Sequence, residues 1–229
     1  MSIIPSRCVG QHYGRFFIAT AFAGKSKKAG FPPSGDPNFA HKRQAVCEAY
    51  AAANDEGTVV LCQDELGPIA VKTYPGRELT ETYASFEPDY GRRGKCWTFG
   101  LLNVKDGHVL THQAPTRNGA EFVSSLGKML DYYAEAQRII IILDNLSVHH
   151  SNAVKLALEA YPHVELVFLP TKAPWLNMIE RFWRPYKRLA LKGKRFETTE
   201  ELVIALEAAT AYWNKYKKPY QLKKLKIVA

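Results

Sequence analysis

The apolar positions change period along the chain. Between Pro37 and about Asn54, Phe39, Val46 and Ala53 recur every seven residues, with Arg43 and Tyr50 between them and Gly57 beyond. That spacing predicts a helix. "TVVLCQ" (Thr58–Gln63) is a short apolar run of the buried-strand kind, and "PIAVKTY" is expected to pair with it across Gly67. "KCWTFGLLNV" (Lys95–Val104) predicts another strand, and Asp106-Gly107 turns the chain into "HVLTHQ". From Gly119 to about Tyr133, Phe122, Leu126, Met129 and Tyr133 mark a helix. The run "RIIIILD" (Arg138–Asp144) holds four consecutive isoleucines, which suits a central strand buried on both faces. A helix over Ser151–Tyr161, a strand "VELVFL", a helix entered through "LPTKAPWLNMIERFW" and ending near Leu191, and a last helix over Thr199–Tyr216 complete the pattern.

Strands first and alternation afterwards predict an α/β fold, a mixed sheet flanked by helices. Polar groups then collect outside the carboxyl ends of the strands. Residues 1–35 contain the linker-like "GKSKKAGFPPSGDP" and read as poorly organised. "RFFIATAFAG" imitates a secretory signal, but the apolar run is short and broken by Thr20, so a cytoplasmic protein is expected. No apolar run approaches the ~18 residues of a membrane span. Cys8, Cys47, Cys62 and Cys96 are far apart and form no CxxC pair, so they read as idle thiols.

Charge adds a direction. The formal net charge of +9 lies wholly in the last 49 residues, where 13 Lys/Arg face 4 Asp/Glu; the first 180 residues hold 18 of each sign. This asymmetry suggests a polyanionic partner, nucleic acid first, although a solvated helical face with a basic tail gives the same count.

Two aspartates follow apolar runs directly. Asp64 ends the first strand in "VVLCQDE", and Asp144 ends the isoleucine strand in "IIIILDN". On neighbouring strands they leave the sheet at one edge, where like charges repel unless a cation intervenes. An oxygen-only site of that kind suits Mg²⁺ or Mn²⁺. Turn chemistry explains either aspartate alone. Glu180 fits a capping box with Asn177 as N-cap, in the same grammar as Thr198-x-x-Glu201. The stiff approach "LPTKAPW" and the proximity of the same sheet edge favour a ligand. His149 reads as either an orienting group or a capping feature. Arg92-Arg93 reads as either a phosphate contact or an exposed turn.

These blocks resemble the catalytic domain of DDE transposases from bacterial insertion sequences, in the branch allied to mariner-like elements. That family shows a strand ending in "DE", then "DN…H", then "PTxAxWLNxxE" with an aromatic following. All three occur here in order, with 35 residues between Asp144 and Glu180, and Tyr90-Gly91-Arg92-Arg93-Gly94 matches a further family stretch. The likeness runs from about Asp36 to Lys217, which leaves 1–35 as a linker-like segment and 218–229 as a basic tail.

The resemblance implies a ribonuclease-H-like fold and a metal-binding catalytic triad of Asp64, Asp144 and Glu180. It gives supporting places to Glu65, Asn145, His149 and Asn177. It implies two Mg²⁺ or Mn²⁺ ions acting on a scissile phosphate, with DNA cut at element ends and joined to a target. DNA contacts are expected from Arg92, Arg93, Lys172, Arg181, Arg184, Lys187 and Arg188. The implied partners are transposon-end and target DNA on a homodimer, at the nucleoid, with no membrane and no small-molecule substrate. Family members carry N-terminal helix-turn-helix domains, and none is legible here. A truncated or frame-disrupted copy, one half of a split transposase, or an inactive DNA-binding remnant is therefore expected as an alternative to a complete enzyme. A ribonuclease-H-like nuclease of another kind fits less well, because the third block is transposase-like.

Overall fold

Four consecutive isoleucines form the middle of the sheet. The computed structural model describes residues 35–76, 89 and 93–217. The expectations for residues 1–34, for Arg92 and for the tail 218–229 lie outside the described residues. The chain begins with α1 (Phe39–Ala52) and β1 (Thr58–Ala70). After the two-residue β2 (Thr73–Tyr74) come β3 (Lys95–Asn103), β4 (Val109–Ala114), α2 (Gly119–Leu130) and β5 (Arg138–Leu143). They are followed by α3 (Asn152–Glu159), β6 (Val164–Phe168), α4 (Glu180–Leu191), β7 (Lys194–Arg195) and α5 (Thr199–Tyr216). The main sheet runs β4-β3-β1-β5-β6. The pairs β1–β3 and β3–β4 are antiparallel, whereas β1–β5 and β5–β6 are parallel. The expected mixed sheet is thus present.

Strand alternation divides the core into two layers. Leu61, Ile139, Ile141 and Leu143 join Phe122, Leu126, Met129 and Val154 on the α2–α3 side. Val60, Cys62, Ile140 and Ile142 are buried as well, on the opposite face. Tyr50 of α1 meets Cys62 on that second face. The isoleucines are buried on both faces because helices cover both.

One expected pairing is corrected. Pro68–Ala70 does not fold back on Thr58–Gln63; it continues β1, and Ile69 pairs with Cys96 of β3. The register shifts between Leu66 and Ile69, so the Gly-Pro step makes a bulge rather than a hairpin. Tyr74, expected in the same hairpin, pairs with Lys194 instead. Cys47, Cys62 and Cys96 are free and buried, as expected.

The chain leading into α4 is hooked to the sheet from below. The Tyr50 hydroxyl donates to the Leu176 carbonyl at 2.6 Å and accepts from the Met178 N–H at 3.3 Å. It also lies 3.3 Å from the Cys62 sulfur. Asn177, between those two backbone groups, donates its Nδ2 to the Gln63 carbonyl at 2.9 Å. Farther back, the Asp36 carboxylate accepts from Thr171 N at 2.9 Å, from Asn38 N at 2.9 Å and from Lys42 Nζ at 2.9 Å. These bonds join α1 to the loop that delivers Glu180.

Two outcomes follow from the hooks. Tyr50→Phe keeps the ring but leaves Leu176 and Met178 backbone groups buried and unpaired, so stability should fall by about 1–3 kcal/mol. Urea midpoints read this directly, and an unchanged midpoint contradicts the hook. The Thr171 N–H, with Lys42 and Asn38, holds Asp36 well below the usual carboxylate range. Its folded-state pKa is depressed, so its contribution is present above that range and is lost as the pH falls through and below it. Asp36→Asn should therefore lower the melting temperature at pH 7, and the gap to wild type should close on acidification. A gap that persists at the lowest pH at which both chains still fold contradicts this.

Candidate active site

β1 and β5 are parallel neighbours, and their last paired residues are Cys62 and Ile142. Two residues onward, Asp64 and Asp144 occupy matching positions. β5 ends at Leu143, so Asp144 opens a loop, as the sequence suggests. β1 does not end at Asp64. It continues to Ala70, and Asp64 pairs with Gly100 of β3. The continuation exists because β3 offers a long partner edge.

That partner glycine matters. A side-chain carbon at Gly100 would come within 2.5 Å of the Trp183 ring and 3.0 Å of Ile179. The missing side chain lets the indole lie on the sheet, and Trp183 Nε1 donates to Asp64 Oδ2 at 2.7 Å. Burial pushes the Asp64 carboxyl up to about 7; the Trp183 N–H opposes this, and the charges of Glu180 and Glu65 add to it.

Glu180 is the first residue of α4, after Ile179 at the cap position. The expected capping box is absent here: Ile179 stands at the cap position, and Asn177, buried and turned so that its Nδ2 donates to the Gln63 carbonyl, has an Oδ1 that accepts no hydrogen bond among the described residues. The same grammar does operate at α5, where Thr198 Oγ1 accepts from Glu201 N at 3.2 Å. Burial raises Glu180 above its ordinary value, with Lys187 opposing and Asp144 adding. Glu180 stays exposed, so this push is weaker than the one on Asp64.

Glu65 points to the other face of β1, as alternation requires. Its side chain is 1% exposed, and its Oε1 meets His149 Nε2 at 3.0 Å and Gln63 Nε2 at 2.8 Å. His149 Nδ1 faces the Asp144 carbonyl at 3.1 Å and Oδ1 of the same residue at 3.3 Å. Burial disfavours the imidazolium, yet Asp144 and Glu65 outweigh it and lift His149 to about 9. Burial likewise pushes Asp144 up, but His149, the Leu146 N–H and Arg117 hold it below its ordinary value. Asn145 donates to the Leu169 carbonyl, joining the loops after β5 and β6.

The basic residues divide. Arg181, Arg184, Lys187 and Arg188 are exposed on α4, and Lys172 is exposed with φ 58° in the approach loop. Arg93 is engaged by protein instead, with Asp89, with Glu197 at 3.5 Å and with the Phe196 carbonyl at 3.1 Å. Arg92 lies outside the described residues. In the sequence, the place of Trp183 three residues after Glu180 carries no sign that it bonds an aspartate. Gly100 and Tyr50 carried no local signal at all.

The candidate donors Asp64, Asp144 and Glu180 are all carboxylates, so the set offers oxygen ligands alone. Glu65 Oε2 is buried with no hydrogen-bond partner among the described residues. This chemistry fits a hard divalent ion. No three His, Cys, Asp or Glu side chains among the described residues already stand at metal-holding spacing. A hollow of about 360 Å³ lined by Asp55, Thr58, Asn103 and Tyr133 lies at the opposite edge, where β1 begins, away from these acids. No helix among the described residues is long and apolar enough to cross a membrane.

Residues 59–203 match the family described as DDE superfamily endonuclease. "Insertion element IS630 uncharacterized 39 kDa protein" of Shigella sonnei is 29% identical over 94 residues, 41% of this chain and 27% of that protein. The matched part thus spans about a quarter of that relative's length. Among solved structures, "Mos1 transposase paired-end complex with left transposon end" superposes with a TM-score of 0.56 at 18% identity, covering 86% of this chain and 61% of that one. The structure of the Mos1 transposase catalytic domain with Raltegravir and Mn gives 0.52 at 18% identity, over 79% and 85%. These likenesses carry the fold, which is α/β and ribonuclease-H-like. With most of its length matched, and with that fold beneath the acidic edge, the chain belongs to the DDE superfamily endonucleases.

Proposed function

We propose that the acidic edge is a divalent-metal centre that cuts and joins DNA at insertion-sequence ends. The observation that carries this reading is the matching of Asp64 and Asp144 on adjacent parallel strands, with the charge of Glu180 felt at Asp64 and that of Asp144 felt at Glu180. Asp64, Asp144 and Glu180 would hold two Mg²⁺ or Mn²⁺ ions; a Mos1 catalytic-domain structure is described with Mn. When bound, such ions stabilise charge on the scissile phosphate and make water or a 3′-hydroxyl a better nucleophile.

The chain's own residues do the rest. Trp183 ties down Asp64 Oδ2. His149 and the Leu146 N–H hold Asp144 Oδ1, which leaves Oδ2 available. His149 thereby sets the aspartate's rotamer, and Glu65 sets the imidazole. Arg181, Arg184, Lys187 and Arg188 lie on the exposed side of the helix that Glu180 opens, so DNA backbone held there runs past the acids. Lys172 extends this track; Arg93 is left out, because its guanidinium serves the fold. Transposon ends and target DNA are the proposed partners, bound by a homodimer, in line with the paired-end complex of Mos1.

Asp144→Asn should abolish Mg²⁺-dependent nicking of a duplex carrying the element end, while circular dichroism and DNA affinity hold. Nicking that survives in the variant, or in EDTA, refutes the metal centre. Arg184→Ala with Arg188→Ala should weaken binding without regard to DNA sequence. It should also flatten the log K against log salt line by about 0.9 per lost phosphate contact. An unchanged slope moves the DNA track elsewhere.

A further inference from the structure

Arg117 lies in the loop between β4 and α2, and neither the family motifs nor the α4 track includes it. Its guanidinium carbon sits 4.6 Å from the centre of the Trp97 ring. Three observations place the pair at the mouth of the acidic edge. Trp97 stands on β3 toward the end of the sheet where Asp64 lies, on the face that carries Phe122 rather than that of Gly100, and it pairs with Ala114 at the end of β4. The loop then enters α2 against the His149 turn, where a side-chain carbon at Gly119 would meet Ser151 Oγ at 3.0 Å and the Val148 carbonyl at 3.9 Å. Finally, Arg117 lies within electrostatic reach of Asp144.

Arg117 is exposed and makes no hydrogen bond or ion pair among the described residues. An exposed arginine ordinarily spreads into water at no gain in order. Here the indole face restrains the guanidinium without neutralising it, which leaves its in-plane N–H donors free for an anion. The acids beside it take up none of those donors directly. A planar cation held still beside a phosphate-processing site is matched to the fork geometry of a phosphate.

We propose that Arg117, restrained on Trp97, contacts a backbone phosphate of the DNA strand that enters the acidic edge. This rests on the transposase reading above. The ligand is the phosphodiester backbone and not a base, since Arg117 already covers the indole face. The contact supplies register at the point of chemistry, whereas the α4 track supplies general affinity.

The test uses the full chain, a fluorescent duplex carrying the element end, and Ca²⁺ in place of Mg²⁺. Anisotropy is followed across a range of KCl. Arg117→Gln should weaken binding roughly five- to tenfold at moderate salt and lower the log–log slope by about 0.9. Arg117→Lys, which keeps the charge but not the fork, should restore the slope and only part of the affinity. A duplex with one neutral methylphosphonate linkage at the contacted position should bind wild type about as weakly as Arg117→Gln binds normal DNA, with no further loss on combining the two. Arg117→Gln with wild-type affinity and slope overturns the inference and leaves the transposase reading intact. Weaker binding at an unchanged slope also overturns it, since Arg117 then acts through packing on Trp97. A wild-type chain without affinity for DNA removes both.

Discussion

A carboxylate buried beside other carboxylates is the condition around which this domain is organised. Asp64 sits in the interior of a strand, and burial together with Glu180 and Glu65 pushes its carboxyl up to about 7. Such an arrangement costs stability unless a cation or strong donors offset it. The described residues supply two partial answers. Trp183 gives Asp64 one N–H, and the imidazole of His149 lies between Glu65 and Asp144. The remaining charge is what a divalent ion is suited to meet.

The fold serves that condition through elements that are remote in sequence. Alternation along β1 sends Asp64 and Glu65 to opposite faces, one to Trp183 and the other to His149. Gly100 opens the space that lets an indole reach the strand. Tyr50 and Asn177 fix the approach to α4, so Glu180 is delivered by a loop bonded to α1 through its backbone and to β1 through the Asn177 side chain. None of these contacts is chemistry, yet each fixes where an acid stands.

Much of this was legible in the sequence. The isoleucine run declared a strand buried on both faces, and the alternation of helix and strand after it declared a mixed sheet with parallel neighbours. The three acids were singled out from family-like blocks, not from spacing alone. The misreadings have local causes. Gly67-Pro68 carries a turn signal, but the long edge of β3 outweighs it and makes a bulge. Asn177 carries a cap signal, but its side chain is oriented by a bond from Nδ2 to the carbonyl of Gln63, 114 residues earlier, and its Oδ1 does not cap α4. Trp183 and Arg117 were opaque because what distinguishes them is a partner across the sheet, and no single-chain period reports on that.

The central claim is that the charge left at this edge marks a cation site. A crystal of the chain soaked in Mn²⁺, with an anomalous difference map collected near the manganese edge, tests it most directly. The account predicts manganese density ligated by Asp64 and Asp144 at about 2.0–2.3 Å, with Glu180 rotated inward. A saturated crystal with no manganese at this edge, or with manganese held by other residues alone, contradicts it.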